Sequence, residues 1–232
     1  ANAIGLTVGA APVSGTTAGA TTQAGETMPS CDATGSETVW YTFNTGSDTD
    51  FNLTVDETGG SCFGTVAVYS GGCLPSTEVA CSDNNDPHEM CLIGLSTSTT
   101  YYVQVVYPAG GPCGSGLPFD IEVNTVPAND DCTAPITLVL DGTENTSNQG
   151  ACNTCTQVLC SDPNTSDCYI VGAGPCTLYS LMSCGSVENN IWYDFTPTVT
   201  QDYYFLLANQ VNCDDGNGVQ MWIGQLPSGC GD

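Results

Sequence analysis

An internal repeat restricts the fold of this chain more than any other feature. Segments of the first half recur in the same order in the second half, at an offset of about 130 to 155 residues. The matching segments are Ala3–Val8 with Pro135–Leu140, Val39–Phe43 with Ile191–Phe195, Phe51–Val55 with Tyr203–Leu207, and Thr65–Tyr69 with Val219–Ile223. Recurrence of this kind is typical of tandem modules that share one fold.

We therefore predict two modules, one over residues 1–126 and the other over residues 127–232. The second module contains a cysteine-rich insertion at about 141–190. It also stops where the first module still has two apolar runs, Tyr101–Val106 and Phe119–Val123. We expect the second module to be incomplete in this sequence, and the chain to be a piece of a longer protein.

The composition of the repeating segments predicts strands. Short runs of alternating β-branched and aromatic residues recur every 10 to 15 residues, with Gly, Asn, Asp and Pro between them. No run combines apolar residues at helical spacing with capping residues at its ends. The expected fold is therefore all-β, with antiparallel β-sandwich or jelly-roll-like modules. Trp40 and Trp192 occupy equivalent positions in their strands, which predicts two core anchors that each bury roughly 200 Å². A ligand platform is the alternative role for these indoles.

Fifteen cysteines in 232 residues indicate an oxidising, extracellular location and a framework of disulfides. Cys73 and Cys81 flank a short predicted hairpin, and we expect them to be bonded to each other. A second expected pair joins Cys132 to Cys184, and Cys31 would then need a partner outside this sequence.

One cysteine group also has the spacing of a zinc site. Cys152, Cys155 and Cys160 lie close together in the sequence, and thiolates at such spacing can bind zinc. No histidine lies near them, so we expect a disulfide-tied loop instead.

The charge of the chain excludes several classes of partner. The sequence has no Lys or Arg, 25 Asp and Glu, and a formal net charge of −25. Such a surface repels nucleic acid and anionic lipid, and no apolar run is long enough to span a membrane as a helix. We expect neither nucleic-acid binding nor membrane insertion, and no organic cofactor.

Clustered carboxylates suggest Ca²⁺ instead, because Ca²⁺ prefers six to eight oxygen ligands. The candidate ligands are Asp83, Asp86, Glu89, Asp130, Asp131, Asp214 and Asp215. The alternative is that these residues only form turns, since Asp, Asn and Gly favour turns for conformational reasons.

Catalytic signals are weak. His88 is the sole histidine and lies in an acidic, proline-bearing stretch, where we expect it to be exposed in a loop. No nucleophile-elbow pattern is present. The sequence therefore predicts a protein that is not an enzyme.

Several segments together carry a family resemblance. They are Ala128–Cys132, Val39–Phe43, Val66–Cys73, Val79–Asn84 and Thr99–Val105. In this combination the chain resembles, over essentially its whole length, the pre-peptidase C-terminal-like β-sandwich modules of large type IX-secreted surface and appendage proteins of Bacteroidota. Such modules occur in giant adhesins, in extracellular appendages, and as accessory domains of secreted hydrolases.

The resemblance implies a structural or adhesive repeat segment of a long secreted protein. That protein would form an extracellular filament or cell-surface appendage used in adhesion, gliding or prey capture. Its expected partners are further repeats or copies of itself, and cell-surface glycans or a prey surface. The alternative is a carbohydrate-binding or accessory module of a secreted hydrolase, which would use exposed aromatic residues such as Tyr107.

Overall fold

The computed structural model of the chain describes residues 2–32, 34–35, 37–58, 64–72, 76–83, 88–108, 116, 118–131, 133–152 and 191–206. The chain divides into two compact units. The first contains Ala1–Pro127 and Gln149–Cys152, and the second contains Ala128–Asn148 and Asn153–Asp232. The short segment Gln149–Cys152 thus belongs to the first unit, although it follows the start of the second unit in the sequence.

All regular structure in the described ranges is β-structure, as predicted. The strands of the first unit are β1 (Ile4–Gly5), β2 (Val13–Thr16), β3 (Glu37–Asn44), β4 (Phe51–Glu57), β5 (Thr65–Ser70), β6 (Thr77–Asp83), β7 (His88–Leu92), β8 (Thr100–Tyr107) and β9 (Pro118–Thr125). Those described in the second unit are β10 (Ile136–Thr137) and β11 (Tyr193–Asp194).

The first unit is a sandwich of two sheets. One sheet has five strands in the order β1-β3-β8-β5-β6, and the other has four in the order β2-β9-β4-β7. The pairings are antiparallel except for the short parallel contact between β1 and β3. The predicted antiparallel β-sandwich is therefore confirmed for this unit.

The core of the sandwich forms because alternate residues of each strand point inward. In β4 the inward residues Phe51, Leu53 and Val55 have no exposed surface. Phe43 of β3 packs between Phe51, with ring centroids 5.5 Å apart, and Tyr101, at 5.8 Å. Ring contacts such as these, one tilted and one stacked, add to the stabilisation that apolar burial already gives.

Gly15 of β2 allows the two sheets to approach closely. A Cβ at this position would meet the Tyr41 hydroxyl and would lie 2.8 Å from two ring carbons of Phe119. Any larger residue would have to displace these core side chains. By contrast, a Cβ added at Gly5 would have no neighbour within 4 Å.

The second unit opens with the same strand pairing as the first. β1 pairs in parallel with β3 through Ile4 opposite Tyr41, and β10 pairs in parallel with β11 through Ile136 opposite Tyr193. The internal repeat matches these same residues to one another. Equal register in both units means that each module begins with the same local structure.

An aromatic contact is repeated as well. Phe43 and Phe51 of the first unit have their counterparts in Phe195 and Tyr203, whose ring centroids lie 4.9 Å apart. The start of the second unit thus places its aromatic residues as the first unit does.

Candidate functional site at the sheet edges

The first disulfide fastens a long connection onto the outer face of the five-stranded sheet. Residues 17–36 link β2 to β3, and within them Cys31 is bonded to Cys81 of β6, with the two Cα atoms 6.0 Å apart. The Ser30 amide and hydroxyl both donate hydrogen bonds to the Glu78 carboxylate, the amide at 2.8 Å. The connection is therefore held to β6 by a covalent bond and by charge-assisted hydrogen bonds.

Glu26, in the same connection, is hydrogen-bonded to two further strands of this sheet. Its carboxylate accepts hydrogen bonds from the Trp40 indole and from the Gln104 amide, the latter at 3.1 Å. Gln104 in turn accepts a hydrogen bond from the Tyr69 hydroxyl at 3.0 Å. Burial, and next the nearby Glu78 carboxylate, raise the pKa of Tyr69 well above its ordinary value. The phenol thus stays neutral and serves as a donor in this network.

The second disulfide fastens the segment Gln149–Cys152 to the four-stranded sheet. Cys91 of β7 is bonded to Cys152, with the two Cα atoms 5.7 Å apart. The Asn52 side-chain amide donates a hydrogen bond to the Ala151 carbonyl at 3.0 Å, and Asn52 is buried by this contact. Gly150 has a φ of +79°, a conformation that favours glycine.

Both disulfides end on the edges of the sheets. Cys81 lies on β6, which is an edge strand of the five-stranded sheet, and Cys91 lies on β7, which is an edge strand of the four-stranded sheet. An edge strand has one unpaired side and is the part of a sheet most open to fraying and to wrong pairing. The disulfides therefore reinforce the strands that hydrogen bonding supports least.

A buried polar centre lies next to the same edge strands. His88 has no exposed surface, and its Nδ1 lies 2.9 Å from the Ser82 hydroxyl. Its Nε2 lies 3.3 Å from Glu57 Oε1, and that oxygen also accepts a hydrogen bond from the Gly64 amide at 2.6 Å. Because a carboxylate accepts hydrogen bonds, Nε2 is placed to donate to Glu57, while Nδ1 pairs with the Ser82 hydroxyl.

This centre overturns the expectation that His88 is an exposed loop residue. His88 begins β7, and it shares the inward face with Met90 and Leu92 while Glu89 and Cys91 point outward. The alternation in the sequence of β7 was the available signal. A serine, a histidine and a carboxylate do line up here, but a fully buried imidazole has no surface with which to meet a substrate.

The candidate Ca²⁺ ligands are dispersed among structural roles. Asp83 accepts a hydrogen bond from the Thr65 hydroxyl at 2.8 Å, and Asp131 accepts one from the Thr133 amide at 2.8 Å. Glu89 is exposed on β7, and Asp130 is buried in the second unit. Within the described ranges, no three His, Cys, Asp or Glu residues form a group that could hold a metal ion. The remaining candidates, Asp86, Asp214 and Asp215, lie outside the described residues.

Two cysteine predictions are wrong. Cys81 is bonded to Cys31 and not to Cys73, and Cys31 needs no partner outside the sequence. The predicted hairpin was misplaced, because the strands that pair are β5 and β6, with Cys81 opposite Ala67. Cys73, in the connection between these strands, lies outside the described residues, as do Cys132 and Cys184.

The zinc alternative is also contradicted at one of its positions. Cys152 is bonded to Cys91, so its sulfur is not available as a thiolate ligand. Cys155 and Cys160 lie outside the described residues.

Two aromatic residues lie elsewhere than expected. Tyr107 has only 1% of its surface exposed, so it cannot offer a ring to a glycan. Trp40 is buried, as predicted, but it lies outside the space between the sheets, in a small cluster with Ala67 and Tyr69. Its ring centroid is 5.6 Å from that of Tyr69. The connection between β2 and β3 contacts this second cluster through Glu26, which binds the Trp40 indole, and through Cys31, which is bonded to Cys81. Sequence alternation alone could not reveal these contacts.

Comparisons with solved structures give partial likenesses, two of which are described here. One is the pre-peptidase C-terminal domain of a collagenase from Bacillus anthracis, at 19% identity and a TM-score of 0.34, covering 53% of this chain and 92% of that domain. The other is a GH26-CBM35 β-(1,4)-mannanase from Podospora anserina, at 13% identity and a TM-score of 0.26, covering 52% of this chain and 29% of the mannanase. Neither TM-score reaches 0.5, so the fold assignment rests on the strands themselves. No family model and no curated protein matches the chain.

The described residues contain no helix that is both long and apolar enough to cross a membrane. The observed disulfides are typical of proteins from oxidising compartments, which agrees with a secreted protein.

Proposed function

We propose that the chain is a structural, adhesive repeat segment of a long secreted protein. In this role its modules build an extracellular filament or cell-surface appendage of the kind found in type IX-secreted proteins of Bacteroidota. Its partners are further repeats of the same protein and the surface to which the appendage attaches. No catalytic step is part of this role.

The observation that carries the proposal is the repeated opening of the two units. Ile4 opposite Tyr41 and Ile136 opposite Tyr193 form the same parallel contact in the same register. A chain that repeats a module without repeating a catalytic group is better suited to spanning distance than to chemistry. The sole histidine has no counterpart in the second half of the sequence, and it is buried.

Two further features suit an extracellular structural role. A disulfide holds one edge strand of each sheet of the first unit, and the chain offers trypsin-like proteases no Lys or Arg. Ca²⁺ bound by the carboxylates named above would add to this stabilisation. That binding is part of the proposal. It can be measured by titrating Ca²⁺ in a calorimeter into protein from which a chelator has removed metal ions.

The carbohydrate-binding alternative loses the aromatic residue assigned to it, because Tyr107 is buried. The described residues of the first unit include no strongly exposed aromatic ring in its place. We therefore favour the structural role over glycan recognition.

The test measures attachment directly. Beads coated with the oxidised chain should remain on a matching cell or prey surface under flow, whereas beads coated with the reduced and alkylated chain should detach. Electron microscopy of the longer protein should show beaded or multi-chain particles. Equal detachment of both bead types, together with compact monomers at every concentration, would remove the proposal.

A further inference from the structure

The two disulfides among the described residues divide the chain in a regular way. Cys31–Cys81 closes one loop of chain and Cys91–Cys152 closes the next, and the two loops do not overlap. Strands β3, β4 and β5 lie inside the first loop, and β8, β9 and β10 lie inside the second. Strands β1 and β2 lie outside both loops. Strands β6 and β7 each contain a bonded cysteine, so that Thr77–Ala80 of β6 and Leu92 of β7 lie inside a loop while the rest of each strand lies outside.

This division coincides with the layout of the sheets. β1 and β6 are the two edges of the five-stranded sheet, and β2 and β7 are the two edges of the four-stranded sheet. Every interior strand of the first unit is therefore enclosed by a disulfide, whereas the edge strands either lie outside both loops, as β1 and β2 do, or contain the bonded cysteine itself, as β6 and β7 do. Two cross-links that served only to lower the entropy of the unfolded chain would not need to enclose every interior strand.

We propose that the two disulfides form a path for mechanical load through the first unit. Tension applied along the chain passes from Cys31 to Cys81 through the first bond, and from Cys91 to Cys152 through the second. The peptide between the two cysteines of each pair carries no tension while its disulfide is intact. The interior strands thus cannot be extended, and in the first unit only the chain outside the loops yields, which includes β1, β2, the end of β6 and most of β7. The inference deepens the structural role proposed above and rests on that role only for its biological meaning.

The length of chain withheld follows from the sequence separations. The bonded cysteines are 50 and 61 residues apart. At about 3.5 Å per extended residue, and after subtraction of the span of each bridge, the bonds withhold about 170 Å and about 210 Å. In the first unit, the stretches outside the loops, up to Cys31 and from Cys81 to Cys91, supply only about 140 Å.

Optical tweezers on the full chain, held by handles at its two ends, test this path. The oxidised chain is compared with the variants Cys31→Ser/Cys81→Ser and Cys91→Ser/Cys152→Ser. We expect the fully extended length to increase by about 170 Å in the first variant and by about 210 Å in the second. Gly5→Ala, which alters an edge strand without a disulfide, should leave the extended length unchanged.

A second measurement covers the case in which a variant does not fold. The oxidised wild-type chain is held at constant force and a thiol reductant is added, which cleaves each exposed disulfide by thiolate attack on sulfur. Steps of about 170 Å and about 210 Å should follow. The proposal is overturned if the oxidised chain already extends to its reduced length, or if neither step appears.

The outcome is separable from that of the adhesion test. Steps of the expected size without surface attachment would retain the load path and remove only the adhesive role. Surface attachment without the steps would retain the adhesive role and remove the load path.

Discussion

Replacing His88 with leucine should destabilise the first unit far more than an ordinary surface change. His88 and Glu57 are both buried, and the imidazole Nε2 donates to the Glu57 carboxylate at 3.3 Å. Leucine fills the space but supplies no donor, so the buried carboxylate loses one of its compensating hydrogen bonds. Leaving a buried acceptor without its donor typically costs about 1–3 kcal/mol, and more when the acceptor is charged, so we expect a loss of about 3 kcal/mol.

The expected loss is large enough to measure by two methods. A unit of this size loses roughly 0.27 kcal/mol of stability per degree near its melting temperature, so the melting temperature should fall by about 10 °C. Urea unfolding of the oxidised protein, followed by circular dichroism, gives the free energy of unfolding. The surface variant Asp48→Asn serves as the control and should stay within about 0.5 kcal/mol of wild type.

A double variant separates the charge effect from a packing defect. Glu57→Gln keeps a carbonyl oxygen for the Gly64 amide while removing the buried charge. In the background of His88→Leu it should restore about 2 kcal/mol, because the uncompensated charge is gone. The reasoning fails if His88→Leu costs less than about 1 kcal/mol, or if the two changes are simply additive.

Other predictions use the same unfolding assay. Burial and nearby carboxylates raise the pKa of Tyr69, so the stability it contributes is complete below its ordinary pKa near 10 and is lost as pH rises beyond that value. Tyr69→Phe should flatten the fall in stability between about pH 9 and about pH 11, and an unchanged fall would contradict this. Gly15→Ala should cost about 1–3 kcal/mol because its Cβ meets core rings, whereas Gly5→Ala should be nearly neutral, and equal costs would refute the close approach. Cys91→Ser/Cys152→Ser should lower the free energy of unfolding by about 4 kcal/mol, because the bond closes a separation of 61 residues. A loss under about 1 kcal/mol would show that the bond hardly lowers the entropy of the unfolded chain.

The features that sequence predicted well are those set by local alternation. In β3 the residues Tyr41 and Phe43 point into the core while Trp40 points to the other face, as the period of a strand requires. The repeat likewise matched residues that occupy equivalent pairings in both units. The alternation is visible within a few residues, and the repeat is visible when the sequence is compared with itself. Neither prediction needed tertiary information.

The features that sequence could not supply depend on which strands become neighbours. Fifteen cysteines allow a great many pairings, and the bond from Cys31 to Cys81 depends on a 20-residue connection folding back over a sheet. His88 was misjudged because its proline-bearing surroundings outweighed the short alternation that places it inward. The contacts that cover Trp40 could not be predicted for a similar reason. Alternation distinguishes the two faces of a strand, but it does not show which face is exposed to solvent.

The burial of His88 also determines what a neighbouring molecule meets. It is the sole histidine of a sequence without Lys or Arg, and it has no exposed surface. No side chain able to become cationic therefore faces outward, and two copies that approach each other present only like or neutral groups. Their repulsion extends about 30 Å in 0.01 M salt but only about 3 Å in 1 M salt. The salinity of the surroundings, more than any residue, decides how closely such molecules can lie side by side.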